Sequence, residues 1–180
     1  LFVPLAEEVG LINPLGEWII REAFAEAATW SDDVCISVNL SSLQVKNPSL
    51  LSTLINTLAQ TGLDANRVEL EITETVLLDY SAESMRALHA MRDLGFRICL
   101  DDFGTGYSSL SYLRNFPFDK IKIDRSFIQG LDRVSEANAV VHALIGLGRS
   151  IGMRASAEGV ETTAQIEHLR NEGCEEVQGF

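Results

Sequence analysis

Residues 81–102 read Ser81-Ala82-Glu83-Ser84-Met85-Arg86-Ala87-Leu88-His89-Ala90-Met91-Arg92-Asp93-Leu94-Gly95-Phe96-Arg97-Ile98-Cys99-Leu100-Asp101-Asp102, and this stretch decides the fold. Met85, Leu88 and Met91 fall on one face at helical spacing, which predicts a helix over Ser81–Leu94. Gly95 follows as a C-cap, because glycine adopts the left-handed turn that ends a helix. Phe96–Leu100 is then a short apolar run of strand length. Two carboxylates close it. Helix, glycine turn, buried strand and polar end make one unit of an α/β fold.

The unit recurs in both directions. Val34–Leu40 alternates as a strand, with Val34, Ile36, Val38 and Leu40 on one face. Arg67–Ile72 and Ile121–Ile123 are further strands, Met153–Ala157 is a weaker one poor in β-branched residues, and Glu176–Phe180 is a sixth. Between them lie helical segments at Leu15–Ala28, Leu50–Gln60 (Leu51, Leu54, Ile55 and Leu58 at helical spacing), Ala137–Arg149 and Thr162–Asn171. The alternation predicts a parallel sheet with helices outside. Six strands fall short of a closed (β/α)8 barrel, which typically takes about 250 residues. An open doubly wound sheet is the competing fold. No low-complexity segment or Pro/Gly/Ser linker divides the chain, so a single domain is expected. It opens on Leu1-Phe2-Val3-Pro4 without an initiator Met, in a helical segment, and stops just after a strand. It reads as part of a longer protein, with strands expected upstream and at least one helix downstream.

Charge and composition exclude several classes. The 180 residues carry 14 basic and 26 acidic side chains, a net charge of −12, which argues against general nucleic-acid binding. An acidic protein still holds an anionic substrate where metal ions supply the positive charge. No apolar run reaches the length of a membrane span, and no basic, apolar and small-residue series marks a signal peptide. Cys35, Cys99 and Cys174 are odd in number and far apart, without a Cys-x-x-Cys pair, which fits a reducing cytoplasm. His89, His142 and His168 all sit in helical stretches, so a histidine-based zinc site is not expected.

Polar groups recur at the C-terminal strand ends: Asn39; Glu71 with Glu74; Asp101 with Asp102; Lys122 with Asp124; Glu158 with Glu161; and Gln178. In a barrel such ends converge on one mouth, where active sites form. Each also has a plainer reading. A lone acidic residue after a strand is commonly a solvated loop residue or a helix N-cap. Asn39 suits a cap for the turn at Ser41-Ser42. Lys122 points opposite to Ile121 and Ile123, either inward as a placed charge or outward with a snorkelling stem. Asp101-Asp102 is the least plain, because adjacent carboxylates after Ile98-Cys99-Leu100 repel unless a cation offsets them. The donors are carboxylate and amide oxygens, a set that suits hard cations such as Mg²⁺ or Mn²⁺, and several in one mouth could hold two ions. Asp102-Phe103-Gly104 is like the metal-binding tripeptide of protein kinases, but their Gly-rich and His-Arg-Asp loops are absent. Gly104-Thr105-Gly106, followed by Leu110, is only half a dinucleotide fingerprint.

Taken together the motifs resemble the EAL domain, the cyclic di-GMP phosphodiesterase family. They are Phe2-Val3-Pro4-Leu5-Ala6-Glu7-Glu8, Val38-Asn39-Leu40-Ser41, Glu69-Leu70-Glu71-Ile72-Thr73-Glu74, Asp101-Asp102-Phe103-Gly104-Thr105-Gly106, Lys122-Ile123-Asp124-Arg125-Ser126-Phe127, Ala157-Glu158-Gly159-Val160-Glu161 and Gln178-Gly179-Phe180. The resemblance implies that residues 1–180 are a partial EAL-type domain, a (β/α)8 TIM-like barrel incomplete at both ends, whose family has one antiparallel strand. It implies a hydrolase that opens cyclic di-GMP to the linear dinucleotide pGpG by attack of a metal-activated water. By position, Asn39, Glu71, Asp101 and Asp102 are similar to the metal ligands, for two Mg²⁺ or Mn²⁺ ions. Lys122 resembles the lysine at the nucleophilic water, and Glu158 the general base or a ligand through water. Glu74 resembles the glutamate that anchors the loop joining substrate, metals and dimer interface. Asp124, Glu161 and Gln178 are similar to supporting or substrate-binding residues. The same resemblance implies a cytoplasmic homodimer, in a parent with sensor or GGDEF-type domains and possible membrane tethering.

One departure stands out: the Glu-Ala-Leu motif of the first strand, with its metal-ligating Glu and substrate-contacting Arg, is not in this chain. Weak or absent activity is therefore expected of the isolated 180 residues. Two other functions compete. A cyclic di-GMP receptor without turnover would share the fold, and a different metal-dependent barrel enzyme would share the carboxylates.

Overall fold

In a computed structural model of the chain, residues 2–74, 76, 81–104, 113, 116, 118–131 and 135–180 are described. They fall into two compact units, Leu1–Ile98 and Cys99–Phe180. Thr105, Gly106 and Leu110 of the sequence motifs lie outside the described residues.

The first unit runs α1 (Val3–Glu8), α2 (Ile12–Ala27), β1 (Ile36–Leu40), α3 (Ser42–Val45), α4 (Ser49–Thr61), β2 (Val68–Thr73) and α5 (Ala82–Asp93), and β3 (Arg97–Phe103) begins at its end. β1 and β2 are parallel, with Ile36 opposite Val68 and Leu40 opposite Ile72. β2 is buried from Val68 through Ile72, as a strand covered on both faces must be. Ile20, Phe24, Leu54, Leu70, Ile72, Leu88, Met91 and Phe96 form the core. The rings of Phe24 and Phe96 lie 6.1 Å apart and tilted. Full burial of one such side chain contributes about 1.5–3 kcal/mol.

The helix–glycine–strand reading of residues 81–102 holds. Ser81 caps α5 by accepting a hydrogen bond from the Ser84 amide. At the other end Phe96 N–H donates to Met91 O and Gly95 N–H to Arg92 O, the paired bonds of a Schellman turn, with Gly95 at φ +99°. Several details differ from the sequence reading: α2 begins at Ile12 rather than Leu15, β1 at Ile36 rather than Val34, and β3 runs on through Phe103. The buried face of α4 is Leu50, Thr53, Leu54 and Thr57, while Ile55 is exposed. Threonine is tolerated inside because the Thr57 hydroxyl donates to Thr53 O at 2.8 Å. Arg67 does not begin β2. It sits in the preceding 3₁₀ turn and reaches back to Val34 O, Ala27 O and Asp32, tying the end of α2 to the entry of β1.

The second unit takes most of β3, then β4 (Lys120–Ile123), α6 (Arg125–Ile128), α7 (Ser135–Ser150), β5 (Arg154–Val160), α8 (Thr163–Glu172) and β6 (Glu176–Gly179). β3, β4, β5 and β6 pair in that order, each pair parallel. The antiparallel strand that the family resemblance implies is not among the described strands. α7 packs on β4 and β5, and α8 on β5. β5 reads weakly in sequence because its centre is Ala155-Ser156-Ala157, all buried. These small side chains leave room for α7, which is close enough that a Cβ on Gly148 would meet Ile121 Cγ2 at 3.2 Å. At the N-terminal strand ends Glu176 pairs with both Lys120 and Arg154. No helix among the described residues is long and apolar enough to cross a membrane.

Candidate metal and catalytic site

In the first unit, parallel pairing puts Asn39 opposite Glu71. Asn39 is exposed, on the rim of a cavity of about 530 Å³ lined also by Phe2, Ile19, Ser41 and Thr73. It does not cap the following turn. That task falls to Ser41 and Gln44, whose side chains accept from each other's backbone amides in a capping box. Glu71 is buried two residues beyond Glu69, on the same side of β2, and Glu69 faces Arg97 at 3.7 Å. Glu74, just past the strand, is 7% exposed, and both of its carboxylate oxygens are buried with no hydrogen-bond partner among the described residues. A buried carboxylate without donors is costly.

The second unit gathers most of the candidate residues. Between Leu100, opposite Ile121, and Phe103, opposite Ile123, two residues of β3 face the single residue Lys122 of β4. This is a β-bulge, and Asp101 and Asp102 are the doubled residues. Asp102 takes φ +54°, the one left-handed non-glycine among the described residues. Aspartate tolerates that conformation better than most side chains, and here the Asp102 amide donates to Asp101 Oδ1 at 3.0 Å. Lys122 is buried, as the inward reading requires. Its ammonium lies 3.3 Å from Asp101 Oδ1 and in contact with Glu158 Oε1 of β5.

Asp101, Asp102 and Glu158 bring one carboxylate oxygen each to within 4.8 Å of one another. Three carboxylates facing one ammonium leave an excess of negative charge. Burial, then the neighbouring charges of Asp101 and Asp124, push the Asp102 carboxyl above its usual range, against the pull of Lys122. An all-oxygen cluster with surplus negative charge fits a hard divalent cation.

Asp124 has a local task. It caps α6, accepting from Ser126 N at 2.9 Å, and the hydrogen bonds from Ser126 hold its carboxyl below the usual range although burial opposes this. Gln178 sits opposite Glu158 across the β5–β6 pair. The Glu161 side chain is exposed, and its backbone amide donates to Gln165 Oε1 at 2.8 Å. Gln44, Gln165 and Arg67 were not singled out in the sequence. The Ser41-x-x-Gln44 and Thr162-x-x-Gln165 spacings are capping-box patterns and were legible as such; Arg67 left no local signal, since its partners lie 33 to 40 residues away.

The EAL domain family matches residues 1–180. The bifunctional diguanylate cyclase/cyclic di-GMP phosphodiesterase MucR of Pseudomonas aeruginosa is 42% identical over 183 residues, covering 99% of this chain and 27% of MucR. The solved structure of the PaMucR phosphodiesterase in complex with c-di-GMP superposes with a TM-score of 0.94 at 42% identity, over 99% of this chain and 74% of that one. The Klebsiella pneumoniae BlrP1 calcium/cyclic di-GMP complex is 30% identical with a TM-score of 0.84, over 92% of this chain and 42% of that one. The chain therefore belongs to the EAL domain family, and its fold class is α/β, that of a TIM-like barrel domain in part. It spans about a quarter of the length of the curated relatives it matches.

Proposed function

We propose that residues 1–180 are part of one EAL-type catalytic domain, a metal-dependent phosphodiesterase that cuts one ester bond of cyclic di-GMP to give linear pGpG. The observation that carries this reading is the Lys122 ammonium seated between Asp101 and Glu158 in a cluster otherwise overcharged with carboxylates. Asn39, Glu71, Asp101 and Asp102 would hold two Mg²⁺ or Mn²⁺ ions, which offset the negative charge of carboxylates and phosphate and acidify a bound water. The chain's own groups act on the attacking water. Lys122 Nζ donates a hydrogen bond to its oxygen and holds it for attack. Glu158 accepts its proton at a carboxylate oxygen. The oxygen bonds to phosphorus, the bond from phosphorus to the sugar 3′ oxygen breaks, and that oxygen takes up a proton from solvent as Glu158 releases its own to solvent. Glu74 is the loop-anchoring glutamate of this reading, a role supported by its two buried oxygens, which have no partner among the described residues. Asp124, Glu161 and Gln178 support the site.

The protein acts in the cytoplasm as a homodimer. Its parent carries further sensor or GGDEF-type domains, which the greater length of the relatives supports. The test is to incubate the full-length protein with cyclic di-GMP and Mg²⁺ and follow nucleotides by ion-exchange chromatography. pGpG accumulates, and chelation by EDTA abolishes its formation. Tight binding of cyclic di-GMP with no product overturns the reading and assigns a receptor.

A further inference from the structure

Gln165 makes more bonds than a helix cap requires. In a capping box the third residue's side chain accepts from the N-cap amide, and glutamate serves that purpose at least as well as glutamine. Here Gln165 is 5% exposed, and its Oε1 accepts from both Thr162 N (3.1 Å) and Glu161 N (2.8 Å). Its Nε2 donates to Ile128 O at 3.2 Å, at the end of α6. A carboxylate has no proton to give there. The buried Ile128 carbonyl thus asks for an amide at position 165.

The bond closes a seam between two strand ends. α6 follows Lys122-Ile123-Asp124, and the turn bonded to Gln165 Oε1 follows Glu158-Gly159-Val160. A second point of the same seam is steric: a Cβ on Gly159 would lie 2.5 Å from Arg125 Cβ. Lys122 and Glu158, the two groups that share the proposed water, stand on opposite sides of this seam.

We propose that Gln165 is a positioning residue that sets the Glu158 carboxylate against the Lys122 ammonium by tying the α8 cap to the α6 carbonyl end. This rests on the phosphodiesterase reading of the site. The cap and the bridge are separable. Gln165→Glu keeps both acceptor bonds and loses the donor to Ile128 O. Thr162→Ala removes the other arm of the capping box and leaves the bridge in place.

The experiment compares both variants with the parent residue in the full-length protein, using cyclic di-GMP with saturating Mg²⁺. Gln165→Glu is expected to lower kcat at least tenfold with KM within twofold, and to lower the melting temperature by a few degrees because the buried Ile128 carbonyl then faces a carboxylate oxygen. Its kcat relative to the unsubstituted protein rises as pH falls, because the new carboxyl once protonated donates to Ile128 O again. Thr162→Ala is expected to lower the melting temperature by about 3 °C, the effect of a lost cap, with kcat within twofold. Unchanged kcat in Gln165→Glu, or an equal kcat loss in Thr162→Ala, overturns the proposal. Should Gln165→Glu not fold, Gln165→Leu takes its place: a folded variant with full turnover overturns the proposal, and a tenfold loss supports it. Absence of turnover in the unsubstituted protein instead defeats the phosphodiesterase reading, and so distinguishes the two failures.

Discussion

β3 and β5 are built to one pattern and used differently. Both are seven residues long with the same order of buried and half-buried positions. Both place a carboxylate at the fifth position, Asp101 and Glu158, and both shift register before the seventh residue. Both put the sixth residue in the left-handed region, Asp102 at φ +54° and Gly159 at φ +68°. In both strands the fifth side chain meets Lys122. At the sixth position the strands part. On β3 there is room for a side chain, and a third carboxylate joins the cluster. On β5 the position lies against Arg125, and only glycine fits. The same backbone device serves charge on one strand and close packing on the other.

The largest effect is expected at that sixth position. Gly159→Ala combines a left-handed backbone with a Cβ driven into Arg125, and it should destabilise the protein by about 3 kcal/mol, measured by urea denaturation. Asp102→Gly, the converse change, should leave the fold intact. Next in size is Lys122→Met, which leaves Asp101, Asp102 and Glu158 facing one another. Loss of the ammonium from this partly solvated cluster should cost about 2 kcal/mol in EDTA, and Mg²⁺ should restore part of it. Equal losses with and without Mg²⁺ would show that the cluster does not take the ion.

Asp124→Ala tests the strand between them. Loss of the α6 cap should cost about 1 kcal/mol at neutral pH. A carboxyl held below its usual range stabilises the fold above the ordinary aspartate value, and that contribution fades as pH drops through its lowered one. The difference from the unsubstituted protein should therefore shrink in acid. The smallest effect belongs to Asp102→Gly. Relief of the left-handed aspartate should add about 0.5 kcal/mol. Because the Asp102 carboxyl is pushed up in the fold, its destabilising charge is absent in acid and appears as pH rises through the raised value. The gain over the unsubstituted protein in EDTA should therefore grow from acid to neutral pH. A gain independent of pH would assign it to the backbone alone.

β2, β3 and β4 were legible as short apolar runs, because burial on both faces of a parallel strand leaves a compositional mark that needs no knowledge of neighbours, whereas β5, built of small residues, and β6, mostly exposed, left weaker marks. The glycine that ends α5 was legible for a similar reason, since the left-handed cap is a local demand. The rotation of α4 was not. Thr53 and Thr57 look polar in sequence and become acceptable inside only when the helix exists to receive the hydroxyl. Lys122 was ambiguous for the opposite reason: alternation shows which side it faces, and only its partners show that the side is interior.

From sequence alone came the α/β alternation, the family, and the chemistry of the strand ends, oxygen donors without a thiolate or histidine cluster. These follow from side-chain type and spacing along one chain. The tertiary structure decided that Asp101 and Asp102 share a bulge opposite Lys122, that Glu158 reaches the same ammonium, and that Gln165 bridges to Ile128. Each depends on backbone handedness or on a partner across a fold of twenty or more residues. Such contacts are set by packing, which local sequence does not encode.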